Sequence, residues 1–186
     1  MRFGTVLFFS LGFAATIGAS DTARQLVKVN PLPVVLSDDF QFRKTKLFYL
    51  SEMAPKSRKS LTSTTSSSGS RNAGIAEASM SFERTYRMYG ALTGADQRQR
   101  FGNYFDFFWR AKRPGNVTVR LEYRQEKLRS FVQGREISYA NVKGNQKTEF
   151  AVIGDDYLND GRVISWRCLL IENGHIVAEN RSYLWE

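Results

Sequence analysis

The densest group of residues able to do chemistry is the run Gly154-Asp155-Asp156-Tyr157-Leu158-Asn159-Asp160-Gly161. Asp155, Asp156, Asn159 and Asp160 offer hard oxygen donors within one loop, the donor type that calcium prefers. The alternating acidic positions and the closing Glu of an EF-hand are missing. Asp and Asn beside Gly are also ordinary turn chemistry. The expectation is a tight turn, with calcium the one cofactor this loop suggests and no other cofactor implied. Read as a glycosidase pair, these acids would have to face each other across a sugar, one of them with a pKa raised by burial. Neighbouring acids between glycines are expected to be exposed and ionised, so a hydrolase using this loop ranks third among three functional readings.

Nucleophilic and redox chemistry has little to draw on. The chain contains one Cys and one His. No intrachain disulfide, Cys-x-x-Cys pair or Cys/His zinc cage is available, and any Ser-His-Asp triad would have to recruit His175. His175 follows Asn173-Gly174 directly, a surface position beside a turn. Cys168 lies in an apolar segment, where a thiol packs as a small hydrophobe, although an exported unpaired Cys can also bridge two chains. No catalytic residue is expected.

Aromatic residues give the better opening. Tyr104 and Phe108 alternate with the apolar set of Asn103–Lys112. With Arg110 and Arg120 they would suit stacking on a carbohydrate, contact with a polyanion, or contact with a partner protein. Burial of the same rings beneath residues 21–55 is the expectation set above it, because large exposed apolar patches are uncommon on monomers. Extended apolar Leu26–Leu36 would alternatively complete a sheet edge, on this chain or a neighbour, by strand addition.

The elements that would position these groups follow from patterning along 186 residues. Met1-Arg2 is cationic, Phe3–Ile17 carries no charge, and Gly18, Ala19 and Ser20 are small. This is the order of a secretory signal, too short for a membrane span, so residues 1–20 are expected to be cleaved and the chain exported. The destination is periplasmic, cell-surface or extracellular, with no transmembrane segment after cleavage. Residues 21–55 read as an extended segment around Pro31 and Pro33. Two short strands are expected there, at Phe40–Phe42 and Leu47–Leu50. Residues 56–78 are Ser/Thr-rich and basic, the composition of a linker that cannot repay its ordering entropy by burial.

From Ser79 the pattern has period two. Met80, Phe82, Tyr86 and Met88 alternate with polar residues, interrupted at Arg84. Phe105, Phe107, Trp109 and Ala111 share one face, and Pro114-Gly115-Asn116 is read as a turn into Val117, Val119, Leu121 and Tyr123. Further strands are expected at 131–139, 147–153 and 162–172. Asn173-Gly174 then predicts a hairpin into 175–185, because both central residues of that turn need positive φ. Such spacing predicts an all-β fold of about seven antiparallel strands over 79–186, as a β-sandwich.

The strand count, the strand around Trp109 and the terminal hairpin at Asn173-Gly174 make 79–186 resemble immunoglobulin-like or fibronectin-type-III-like sandwiches of exported bacterial proteins. GNYFDFFWR, VTVRLEYR and AVIGDDYLNDGRVISWRCLLIENG are similar to uncharacterised members of that group. Two features depart from immunoglobulin domains: Cys168 has no partner Cys, and Trp166 stands where their tyrosine corner places Tyr. The resemblance implies architecture and no activity.

The formal charge is +9, from 27 Lys and Arg against 18 Asp and Glu. It is spread out, with 9 against 5 over residues 21–79 and 17 against 13 over 80–186. Outside the cytoplasm such charge meets surface polysaccharide and lipid headgroups before nucleic acid, which is not expected as the primary partner. The expectation is an exported, non-catalytic structural or interaction module whose partner is a protein or a surface polysaccharide. A carbohydrate- or polyanion-binding module is the alternative.

Overall fold

The computed structural model describes residues 23–52 and 70–185. The expected signal peptide, residues 1–20, and most of the expected linker lie outside them. In chain order the elements are β1 (Arg24–Gln25), β2 (Phe40–Leu50), α1 (Ser70–Met88), α2 (Gly94–Arg98), β3 (Gly102–Gln125), β4 (Gln133–Ile153), α3 (Asp155–Asp160), β5 (Val163–Glu172) and β6 (His175–Arg181).

The fold is mostly β, and the six strands form one antiparallel sheet. Strand β3 organises it. One of its edges carries β4 along nearly its whole length. The other edge carries β2 against Gly102–Ala111 and β5 against Thr118–Gln125, so two strands share it end to end. The sheet folds over at the middle of β3. Trp166 of β5 meets Phe107 and Phe105 of the first half of β3, with ring centroids 5.4 and 6.0 Å apart. Asn180 of β6 donates to the Thr45 hydroxyl of β2 at 2.6 Å.

The core fills that fold. Phe105, Phe107, Trp109 and Ala111, then Val117, Val119, Leu121 and Tyr123, are all buried in one cluster with Phe150, Trp166, Cys168 and Leu170. The inward parity of β3 survives its irregular middle. Trp109 keeps its indole N–H satisfied by the Thr148 hydroxyl at 2.9 Å, as a buried Trp should.

Several expectations change. The turn expected at Pro114-Gly115-Asn116 is instead a pair of register shifts inside β3, between Ala111 and Gly115 and between Gly115 and Val117. Pro lacks an N–H for the ladder, and a bulge removes that demand. The two strands expected over 131–139 and 147–153 are likewise one strand, β4, bent where Asn141 and Gly144 have φ of 50° and 86°. The two short strands of the front segment are also one, β2. Over 79–186 merging and the loss of one segment to α1 leave four strands, β3 to β6, where about seven were expected, and the front segment supplies the other two, β1 and β2.

The clearest correction is α1. Residues expected as the end of a linker and then as a strand, Met80–Met88, form a helix. Glu83 and Arg87 pair at i,i+4 spacing, 3.7 Å apart. Phe82 and Tyr86, also four apart, stack with centroids 6.5 Å apart. Every-other-residue apolarity broken at Arg84 was too weak to hold a strand. The hairpin is as expected, with φ of 50° at Asn173 and 77° at Gly174.

The front segment binds the sheet as a strap. β1 pairs with Arg135 and Glu136 of β4. The chain then crosses the outer face, where Asn30 O accepts from Arg120 at 3.2 Å and Leu32 packs on Leu169, Ile171 and Ile176. Val35 N donates to Ile176 O, Ile176 N to Pro33 O and Ser37 N to Val177 O, so the strap adds parallel to the edge of β6. The strand addition anticipated for Leu26–Leu36 occurs within this chain.

Candidate functional site

Even-numbered residues of β3 before the bulge point away from the core and bring Tyr104, Asp106, Phe108 and Arg110 to one face. The register sets Phe48, Lys46 and Lys44 of β2 beside Tyr104, Asp106 and Phe108. On the other side stand Ala151, Glu149, Lys147 and Asn145 of β4. Helix α1 lies across one end of this face.

Tyr104 is buried, its hydroxyl donating to Arg100 O at 2.6 Å. The Arg87 guanidinium lies 4.3 Å from its ring centroid. Burial raises the phenol pKa above the ordinary value, while Arg87 and Arg100 pull the other way. Asp106, also buried, takes Arg87 at 3.5 Å and Lys147 at 3.3 Å. Lys147 bonds Glu149 as well; that bond leads the upward shift of its pKa, with Asp106 adding to it. A groove of about 270 Å³ between α1 and the sheet is lined by Lys46, Phe48, Met80, Arg87 and Asp106 among others.

Phe108 is half-buried between two ammonium groups, Lys147 at 5.7 Å and Lys46 at 5.9 Å from its centroid. Lys44, its partner on β2, and Arg110, the next outward residue of β3, stand exposed beside it. The result is an aromatic platform in a cationic surround. Such a surface can attract anionic groups while offering a ring for stacking.

Of the residues singled out in the sequence, Tyr104, Phe108 and Arg110 share this face and Arg120 does not. Arg120 lies in the second half of β3 under the strap, bonded to Glu136 at 2.6 Å and 3.6 Å from Glu122. Glu122 also takes Arg167 at 2.7 Å. Tyr104 is covered by α1 and β2 rather than by the strap, and its ring serves as a packing surface.

The acidic loop is a short helix, α3, in place of the expected turn. Asp156 is bonded to Arg135 and Asp155 accepts from Gln99 at 3.2 Å. The Lys127 ammonium sits on the carbonyls of Leu158 and Asn159 at 2.9 and 2.8 Å. Of the four expected calcium donors, the Asp156 carboxylate meets Arg135 and the Asp155 carboxylate meets the neutral Gln99 amide, while Lys127 meets backbone carbonyls. Among the described residues no three His, Cys, Asp or Glu side chains are gathered as a metal site. His175 is exposed beside its turn, and Cys168 is fully buried, which pushes its thiol pKa well up.

Sequence reasoning missed Lys44, Lys46, Lys147, Asp106 and Arg87. The signal for the first two was present in Arg43-Lys44-Thr45-Lys46, where alternation puts Lys44 and Lys46 on one side. Arg87 was hidden because its segment was read as a strand. Compared with family models, curated proteins and solved structures, the chain matches none.

Proposed function

We propose that the chain is an exported, non-catalytic interaction module of the cell envelope or exterior that binds an anionic polysaccharide on the outer face of β2, β3 and β4. The observation that carries this reading is Phe108, flanked by Lys46 at 5.9 Å and Lys147 at 5.7 Å within a cationic surround. Sugar rings stack on aromatic faces, and carboxylate or sulfate groups would be drawn to the exposed Lys44 and Arg110. Export is supported by the cationic, apolar and small-residue order of residues 1–20. The non-catalytic reading draws support from the Asp156 carboxylate, which is engaged by Arg135. An immunoglobulin-like layered architecture is supported by the way the two halves of the sheet pack inner face to inner face.

Chromatography of the mature chain on sulfated and neutral glycan matrices tests the reading. Retention on the sulfated matrix at low salt, falling as salt rises, is expected. The charge-reversed variant K44E/K46E/R110E should elute earlier, and F108A should weaken glycan binding. Wild-type protein that passes straight through at low salt, or a charge-reversed variant eluting with it, would sink the proposal.

A further inference from the structure

Helix α1 is amphipathic in the wrong sense for a helix lying on its own domain. Among its described side chains the charged ones face the sheet together with Met88, which packs on Leu50, Phe101 and Tyr104: Arg87 on Tyr104 and Asp106, Glu83 on Arg87, and Arg84 donating to Ser51 O at 3.1 Å. Its aromatic residues Phe82 and Tyr86 face outward, and so does Tyr89 in the turn just past its end. Phe82, Tyr86 and Tyr89 recur at i, i+4 and i+7 and are 69%, 65% and 85% exposed, and Leu92 beyond them is 89% exposed. Helices on globular domains do the reverse, because the apolar stripe gains by burial. An outward stripe of this kind marks a surface that is covered by something else.

Charge decides among the occupants. The exposed Lys44, Lys46 and Arg110 lie on the sheet face that α1 packs against, while Lys147 there is paired with Asp106 and Glu149, and Arg98 and Arg100 are exposed just past the stripe in sequence. A second copy would bring this cationic flank and a formal charge of +9 against their own likeness. An anionic lipid surface has the opposite charge, and it has a depth profile that suits these side chains. Phe and Leu enter the acyl boundary, and Tyr keeps its hydroxyl at headgroup level. No helix among the described residues is long and apolar enough to cross a membrane, so the contact is one of lying on the surface.

We propose that the Phe82–Tyr86–Tyr89 face of α1 and the turn that follows it docks on an anionic lipid bilayer, with the cations of the adjoining sheet face meeting the headgroups. The electrostatic half rests on the polyanion-binding reading of that sheet face; the aromatic half stands apart from it. Binding then has two separable terms. The cationic term weakens with salt, and the aromatic term grows with the apolar area removed from water.

Co-sedimentation of the mature chain with phosphatidylcholine vesicles, and with vesicles containing phosphatidylglycerol, measures both. Binding to the anionic vesicles, weak binding to neutral ones and release by salt are expected. The variant F82S/Y86S/Y89S should lose about a hundredfold in vesicle affinity, or about fivefold per ring, while keeping its retention on sulfated glycan. These positions are exposed, and an unchanged circular dichroism spectrum would show that the fold is kept. Vesicle binding untouched by the triple substitution, or no binding to anionic vesicles by a chain that still binds glycan, overturns this proposal alone. A wild-type dimer that becomes monomeric in the triple variant would assign the stripe to a second copy and overturn it as well. Loss of both glycan and vesicle binding in K44E/K46E/R110E is expected; unchanged glycan retention there would instead sink the polysaccharide reading.

Discussion

The Arg87 guanidinium lies 4.3 Å from the ring centroid of Tyr104, and it is through this contact, with Asp106 at 3.5 Å, that helix α1 is held on the sheet. The helix docks by charge and ring face more than by an apolar stripe. Such docking is directional. It leaves the opposite face of α1 for another use.

Arg87→Ala is therefore expected to destabilise the fold by about 1–3 kcal/mol, since it removes a cation–π contact and leaves buried Asp106 to Lys147 alone. Urea unfolding measures this. Adding Asp106→Asn should recover part of the loss, because the carboxylate that needed Arg87 is gone. A double variant whose losses merely add would show that the two residues do not act together.

Glu122 gives a sharper test of the second half of the sheet. Its side chain is 2% exposed and lies 2.7 Å from Arg167 and 3.6 Å from Arg120. Glu122→Ala would remove the anion shared by Arg120, which bonds the strap, and Arg167, which lies over Trp185, at a cost of about 3–5 kcal/mol. Thermal melts should show that cost, and loosening of the strap should appear as faster amide exchange at Val35 and Ser37, whose N–H groups hold the β6 edge. Wild-type exchange there in a destabilised variant would argue that strap and ion network are independent.

Cys168 is fully buried, and desolvation holds its pKa well above the ordinary thiol value. A thiol-reactive dye should fail to label native protein and should label one thiol per chain after unfolding. Non-reducing electrophoresis should show a monomer band. A covalent dimer would mean that this strand opens far more readily than its burial implies.

How much of this was legible differs from element to element. The inward set from Phe105 to Tyr123 could be read because period-two burial is imposed by the pleat itself and survives the bulge. The Asn173-Gly174 hairpin could be read because its φ values are a local steric demand. The merging of strands across Pro114-Gly115 could not, since a turn and a bulge use the same residues and only the partner strand decides between them. Helix α1 was misread for a related reason: Met80, Phe82, Tyr86 and Met88 fit a broken period of two, while Glu83–Arg87 and Phe82–Tyr86 fit 3.6. Tyr104, Phe108 and Arg110 were placed together correctly by alternation along one strand. Arg120 has the same outward parity, but it lies past the fold in β3, and position along a bent strand is invisible to alternation.

Tyr157 offers a titration to check the packing of α3. Its hydroxyl shares a 2.6 Å hydrogen bond with that of Tyr49, and burial first, then this bond, pushes its pKa up to about 12. The folded state thus favours the neutral phenol. Stability from this pair is complete below the unfolded tyrosine pKa, near 10, and is lost as pH rises towards the folded value. Absorbance at the tyrosinate band should show phenols that ionise late, with Tyr157 the one shifted to about 12. Tyr49→Phe removes the hydrogen bond and leaves most of the burial, so the late step should move down without reaching the ordinary range. A late step that stays put in that variant would assign it to a different phenol, with Tyr123 and Tyr104, both raised by burial, as the groups to substitute next.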